Sequence, residues 1–266
     1  MRILTIPLLI SSIFALGACS GDKSSDTSGT GTDSGTGGDD TSASAVHFSV
    51  SGSAANLLTG AAAAADLCVA VADPTAAIGG GELEILGSST VGADGSFEVD
   101  DITTTSSVGL LVLVQDCEGD AVTVLPTATG IPKDSYIDLV EGDVISDFTA
   151  YSIDGTSQTS IQASLESAGY TGDLGTDGAL VGFVFDSSGA PIDGATVAGA
   201  SSSTTYYAAS DGSYNTTSTA ADANAMFMIP AAPVYNYSAT AMGYTFTNVL
   251  AGSQPGFAVV IKFVAS

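Results

Sequence analysis

Short apolar segments alternate with turns rich in Gly, Asp and Pro from residue 46 to the end of the chain. In the first segment, Val46, Phe48 and Val50 alternate with polar residues, which is the period of a half-buried β-strand. Many short strands with frequent turns predict an all-β, antiparallel sandwich, and the missing alternation of strands with helices argues against a parallel α/β sheet. Further strands are expected at 67–72, 82–86, 96–99, 109–116, 121–125, 179–186, 195–200, 204–209, 224–229, 235–241 and 257–265.

One segment has a helical period instead. In residues 156–168, Ile161, Leu165 and Ala168 fall on one helical face, Thr156 or Ser157 is suited to cap the start, and Gly169 is suited to end the helix. This helix divides the strand-like region into two Ig-like β-sandwich domains. The predicted boundaries are a first β-sandwich at 45–150, a helical connector at 151–178 and a second β-sandwich at 179–266.

Charge and composition exclude several classes of function. The 266 residues contain 4 Lys and Arg against 29 Asp and Glu, a net charge of −25, so the surface repels phosphate backbones and nucleic acid is not an expected partner. Nucleophile–His–acid catalysis needs a positioned histidine, and His47 is the single histidine of the chain. No catalytic residues and no enzyme activity are therefore expected. We also predict no metal site and no cofactor, although calcium binding by the acidic loops stays open.

The first residues are typical of an exported protein. Arg2 precedes an apolar stretch too short to span a bilayer, so residues 1–18 are interpreted as a signal peptide. The stretch ends in Leu16-Gly17-Ala18-Cys19, which resembles the bacterial lipobox. This resemblance implies cleavage before Cys19, lipidation of its thiol, and membrane anchoring through the lipid. Ser20 replaces the Asp that retains such lipoproteins at the inner membrane, which favours the outer membrane.

Residues 19–44 are predicted to form a disordered tether. Of the 25 residues from 20 to 44, 18 are Gly, Ser or Thr and five are Asp, so the segment buries too little apolar surface to offset the entropy of ordering. A spacer between the membrane and a folded head is the interpretation that follows.

The start of the second half resembles a known family. Residues 182–197 follow the pattern G-x-V-x-D-x-x-G-x-P-[IV]-x-G-A-x-V through Asp186, Gly189, Pro191 and Gly194. This spacing is similar to that of the carboxypeptidase regulatory-like family, and the first half resembles a degenerate copy. The resemblance implies a seven-stranded prealbumin-like β-sandwich that is non-catalytic.

Two cysteines remain once Cys19 is lipidated. Cys68 and Cys117 form an even pair in a disulfide-permissive compartment, so we predict a disulfide between them within the first half. Two buried free thiols are the alternative.

Tyrosines are concentrated in the second half and suggest a second hypothesis. Tyr206 and Tyr207 are candidates for stacking on sugar rings, with core packing as the alternative. The leading prediction is a non-catalytic, lipid-anchored envelope protein that presents tandem β-sandwich modules for structural or interaction roles, with another envelope protein as the candidate partner. The alternative is a carbohydrate- or peptide-binding surface lipoprotein with a glycan or peptide partner.

Overall fold

The computed structural model describes residues 47–78, 80–106, 108–117 and 121–266. The predicted signal peptide, the lipidation site Cys19 and the predicted tether lie outside the described residues. Residues Ala45–Ser266 form one compact unit, here called the head. No described helix is long and apolar enough to cross a membrane.

The first half of the head contains eight strands and one short helix. Most coincide with the alternating segments of the sequence, whereas β7 and β8 were not predicted. In chain order the elements are β1 (Phe48–Asn56), β2 (Cys68–Asp73), α1 (Thr75–Ile78), β3 (Glu84–Thr90), β4 (Ser96–Ile102), β5 (Leu110–Gln115), β6 (Val124–Leu125), β7 (Thr127–Ile131) and β8 (Val144–Asp154).

Two helices and eight further strands follow, and they confirm the prediction of an all-β fold with one substantial helix. In chain order they are α2 (Gly155–Ser167), α3 (Leu174–Asp177), β9 (Ala179–Phe185), β10 (Thr196–Ala198), β11 (Tyr206–Ala208), β12 (Tyr214–Asn215), β13 (Met226–Pro230), β14 (Tyr235–Thr240), β15 (Val249–Ala251) and β16 (Ala258–Val264).

Helix α2 begins one residue earlier than its apolar period predicts. The cap is neither Thr156 nor Ser157, because the carboxylate of Asp154 accepts a hydrogen bond from the Ser157 backbone N–H at 2.7 Å. A carboxylate at this position satisfies an N–H that has no partner within the helix. Ile161 and Leu165 are buried, as the helical period predicted.

A nine-stranded sheet runs through both halves in the order β12-β11-β13-β9-β16-β7-β5-β2-β3. The last strand, β16, joins the halves because it lies parallel to β7 on one side and parallel to β9 on the other. Strand β1 also pairs parallel to β8. The expectation of antiparallel pairing therefore fails at these three pairs, since local alternation specifies a strand but not its partner.

The nine-stranded sheet has an inner and an outer face. The inner face carries Val112, Thr129 and Val260, and the outer face carries Leu113, Ala128 and Val259. In the first half, the four-stranded sheet β4-β1-β8-β6 packs over the inner face. In the second half, α2 and α3 pack over it. The inner face is thus covered along both halves.

The outer face is covered differently in the two halves. The three-stranded sheet β10-β14-β15 packs over it in the second half and encloses Phe227, Tyr237 and Phe263. Over β2, β5 and β7, no second sheet of the described residues packs on the outer face, and the apolar cluster there is smaller. This difference positions the candidate site.

Candidate functional site

A groove of about 810 Å³ opens at the carboxyl ends of the parallel strands β7 and β16. The two strands pair only where Thr127–Thr129 meets Ala258–Val260. Beyond these residues β7 continues beside β5, whereas β16 continues beside β9. The sheet therefore forks, and in sheets with parallel strands such crevices beyond the carboxyl ends are common ligand sites.

Small and aliphatic residues of the outer face form the floor of the groove. Leu111, Ala128, Val259 and Ile261 line it, and Gly130 lies between them without a side chain. A Cβ built on Gly130 would meet only the carbonyl oxygen of Val260, at 3.8 Å. Because Gly130 has room for a side chain, this space belongs to the groove and is not needed for strand packing.

The two walls of the groove come from different halves of the head. On one side the groove is lined by residues around α1 and before β5, and on the other side by β15 and the turn that follows it. The wall residues are Pro74, Ala77, Ile78, Leu83 and Val108 on the first side, and Val249, Leu250, Ala251, Gly252, Ser253 and Gln254 on the second. The groove is thus built by both halves of the head.

Two charged residues stand at the carboxyl end of β7, where Lys133 and Asp134 follow Pro132 and line the groove. Lys262 lies in β16 beyond its pairing with β7, and its side chain is on the inner face, as are those of Ala258 and Val260. The Lys262 ammonium lies 5.8 Å from the centroid of the Tyr151 ring, and burial lowers the pKa of this lysine. A groove with an apolar floor and a few polar groups at one end is typical of small-molecule sites.

The two tyrosines proposed for stacking are core residues, and that prediction is wrong for them. Tyr206 is 6% exposed on the inner face, and Tyr207 is 3% exposed on the outer face. The Tyr207 hydroxyl accepts a hydrogen bond from the Val197 N–H at 2.7 Å. Neither ring is available to a sugar, because Tyr206 packs in the cluster under α2 and Tyr207 packs in the cluster under the three-stranded sheet.

The structure contains a disulfide between Cys68 and Cys117, with their Cα atoms 5.0 Å apart. It lies at the end of the β2–β5 pair, where Cys68 is opposite Gln115. Because the two strands are already neighbours, the bond stabilises the pairing and has no direct relation to the groove.

His47 does not lie near the groove. Its Nδ1 is 2.5 Å from Asp101 Oδ1, and its backbone N–H donates to the Glu141 carboxylate at 3.0 Å. No group of three or more His, Cys, Asp or Glu suited to a metal ion occurs among the described residues.

Sequence reasoning missed the groove, because β7 was not predicted. The sequence does show that the segments of β5 and β16 are apolar at both alternating positions, which means that both faces of these strands are apolar. The scarcity of cations was also visible, since Lys133 and Lys262 are the only Lys or Arg after residue 23.

No protein-family model and no curated protein sequence matches this chain. Among solved structures, the Bacillus anthracis TIE protein is similar at 12% identity and a TM-score of 0.25, over 83% of this chain and 34% of that one. Shaft pilin SpaA from Lactobacillus rhamnosus GG is similar at 10% identity and a TM-score of 0.25, over 84% of this chain and 98% of that one. The chain therefore spans about a third of the TIE protein.

Proposed function

We propose that this chain is a non-catalytic, lipid-anchored protein of the bacterial envelope whose head binds an apolar ligand in the groove between β7 and β16. The observation that carries the binding role is the groove itself, an opening of about 810 Å³ on an apolar floor. Its volume lies within the range of roughly 300–1,000 Å³ that is usual for ligand sites.

The fold supports a binding role for the head. The two halves share β16, so the groove floor belongs to one continuous sheet. Sites built on such a frame keep their geometry, and a preformed groove loses less entropy when a ligand binds. The lipobox-like Leu16-Gly17-Ala18-Cys19 and the Gly/Ser/Thr tether are the features that support anchoring.

Binding is tested with the neutral fluorescent dye Nile red and the head, residues 45–266. We expect saturable binding to the unmodified head and loss of binding in Gly130→Leu, because the new side chain fills the floor. Gly155→Leu is the matched control, because Gly155 is exposed at the start of α2. The nearest atom to a Cβ built on Gly155 is the Thr123 carbonyl oxygen, at 3.7 Å, so a side chain fits there as well. Equal binding by both variants would show that the dye binds elsewhere, and would overturn the groove as the binding site.

Anchoring is tested separately in the full-length chain. Mass spectrometry of the mature N-terminus is expected to find a diacylglyceryl adduct on Cys19, and Cys19→Ala is expected to release the protein from the membrane fraction. An unmodified Cys19, or membrane retention of the variant, would count against the anchor and leave the groove unaffected.

The alternative of a carbohydrate-binding site depended on two tyrosines as stacking residues. Tyr206 and Tyr207 are both buried, and the apolar floor of the groove suits hydrocarbon better than a sugar ring. We therefore put forward the apolar ligand and not the glycan.

A further inference from the structure

The three-stranded sheet β10-β14-β15 ends where the groove begins. Strand β15 packs against β16, and among the described strands it pairs with β14 alone. Every residue from Thr247 to Gln254 lines the groove, although successive residues of a strand point to opposite faces. The groove therefore runs along the open edge of β15, over the floor formed by β5, β7 and β16.

The opposite edge of this sheet is closed by side chains. The Val197 N–H of β10 donates to the Tyr207 hydroxyl at 2.7 Å, and the Thr205 hydroxyl donates to the Val197 carbonyl at 3.2 Å. Both backbone groups of Val197 are therefore directed away from β14. At β15, by contrast, no side chain in the described part of the chain bonds to the strand's backbone.

The pairing pattern identifies the free groups at the open edge. Along an antiparallel strand, successive residues direct their N–H and C=O to opposite sides. Val197 lies opposite Ala239, so Ala239 directs its backbone groups away from β10 and toward β15. Asn236, three residues earlier in β14, therefore directs its own away from β15. Its partner in β15 is Leu250, whose N–H and C=O consequently face the groove.

Apolar side chains stand on both sides of the groove, and the open edge is unprotected. Ile78 and Val108 on one side, and Val234 and Leu250 on the other, are 39% to 51% exposed. Proteins commonly guard an open strand edge with charged residues or proline, and residues 245–254 contain neither. Exposed aliphatic groups beside an unguarded edge are typical of a surface that another strand covers.

Charge and composition select the occupant. Residues 47–266 contain 24 Asp and Glu but only two Lys and Arg, so a second copy of the head is repelled and a cationic segment is attracted. Close to the groove, Asp134 lines one wall, and the exposed Glu82 and Glu84 flank the lining residue Leu83. Residues 20–44 contain no aliphatic side chain larger than that of Ala, so this part of the chain is unsuited to the apolar floor.

We propose that the groove binds an extended, cationic segment of a partner protein, which adds to β15 as a fourth strand of the three-stranded sheet. Aliphatic side chains at alternate positions of the segment face the floor, and Lys or Arg side chains between them face the acidic surface. The free N–H and C=O of Leu250 bond to the backbone of the segment. This inference rests on the proposed function, because it names the partner of the same groove.

The first test measures the binding of synthetic peptides to the unmodified head by isothermal titration calorimetry. The probe is an eight-residue peptide of alternating Val and Lys with blocked ends, and it is expected to displace Nile red. A peptide with four Val followed by four Lys has the same composition and charge, and it is expected to bind about tenfold more weakly, the effect of one or two lost hydrogen bonds. A peptide of alternating Val and Glu is expected to bind more weakly than the probe because of its charge.

Backbone methylation tests strand addition directly. In one peptide the amides of all Val residues are N-methylated, and in the other those of all Lys residues. Because the N–H groups of alternate residues point to opposite sides of a strand, only one of these two sets can face β15. One methylated peptide is therefore expected to lose binding by about tenfold, and the other to bind like the probe.

Two variants of the head locate the edge. Leu250→Pro removes the free N–H, and proline is tolerated on an edge strand where the N–H bonds to no neighbour. Probe binding is expected to fall about tenfold, while Nile red binding stays unchanged. Leu250→Ala is the matched control, because it keeps the N–H and shortens the exposed side chain, and it is expected to bind the probe like the parent.

The outcomes separate the two proposals. Equal binding of the alternating and the block peptide, an equal effect of the two methylated sets, or equal effects of Leu250→Pro and Leu250→Ala overturns strand addition and leaves an apolar groove. The methylated pair uses the unmodified head, so it decides the question even where Leu250→Pro is unstable. Tighter binding of the Glu peptide, or a dimeric head that Leu250→Pro makes monomeric, overturns the cationic partner. Binding of neither the peptides nor Nile red overturns the proposed function as well.

Discussion

The two halves of the head use the outer face of the same sheet in different ways. In the second half this face carries the large side chains Phe227 and Phe263, which are 0% and 1% exposed beneath the three-stranded sheet. In the first half it carries Ala128 and Gly130, and the groove opens over them. One continuous sheet thus becomes core or the floor of an open groove according to whether a second layer packs on it.

The largest expected effect tests the covered part of the outer face. Phe227→Ala should destabilise the head by about 3–5 kcal/mol, the usual cost of removing a fully buried phenylalanine. The Phe227 ring packs against Phe263, with centroids 6.0 Å apart, and over Gly182, so a cavity would remain. Chemical denaturation measures the change. Leu111→Ala, on the groove floor where Leu111 is only half-buried, should cost clearly less, and equal costs would remove the distinction between the halves.

The next-largest loss of stability is expected in the first half, which has fewer large core residues on its outer face. Replacing both Cys68 and Cys117 by Ser should destabilise the head by up to about 4 kcal/mol, because the bond closes a loop of 49 residues in the unfolded chain. Denaturation of the double variant beside the oxidised parent checks this. Full stability of the variant would show that strand pairing alone holds β2 beside β5.

A smaller effect concerns the layer over the inner face of the second half. Asp154→Ala removes the cap of α2 and should cost about 1 kcal/mol, whereas Asp154→Asn keeps an acceptor oxygen and should cost less. The Asn56 amide also donates to the Asp154 carboxylate at 2.9 Å, which adds to the loss in the Ala variant. Thermal unfolding of the two variants measures the difference, and an equal loss in both would exclude the cap as its cause.

Gly130→Leu should change stability by less than about 1 kcal/mol, although it adds a large side chain to a strand. The reason is the open space over Gly130. Gly182→Leu is the counterpart in the second half, where a built Cβ would overlap the Phe227 ring, and it should prevent stable folding. The melting temperatures of the pair sharpen the contrast, and similar values would contradict it.

The last effect appears only at alkaline pH. Burial raises the pKa of Tyr207 and of Tyr237, both in the covered core of the outer face. Since the folded pKa is above the ordinary value of 10.0, the stability that these groups contribute is complete below pH 10 and is lost as pH rises through the folded pKa. Stability measured from pH 8 to pH 12 should fall above pH 10, and Tyr207→Phe should make the fall shallower. A fall of equal steepness in the variant would exclude Tyr207 as a contributor.

The sequence predicted most elements of the second half closely. The segment 179–186 is β9 at Ala179–Phe185, the segment 257–265 is β16 at Ala258–Val264, and residues 156–168 are α2 at Gly155–Ser167. Each has a regular apolar period or a continuous apolar run, which is local information.

Strands β7 and β8 escaped prediction for physical reasons. In β7 the inner positions Thr127 and Thr129 are polar but buried, because the Thr127 hydroxyl donates to the Leu125 carbonyl and the Thr129 hydroxyl accepts from the Tyr151 N–H. In β8 the alternation is interrupted where Asp147 has a φ of +57° beside an irregular register with β1. The bond of Thr129 joins residues 22 positions apart, and the irregular register of β8 depends on β1, so no local pattern reveals either strand.

The sequence by itself determined the all-β character of the head, its helix, its acidic charge and the rarity of its cations. Only the tertiary structure decided that β16 enters between β7 and β9, that Tyr206 and Tyr207 are buried, and that a groove opens over Gly130. The physical reason is the range of the interactions. Side-chain periodicity acts over a few residues, whereas strand pairing and layer packing join residues more than a hundred positions apart, and their choice depends on every other surface that must be buried.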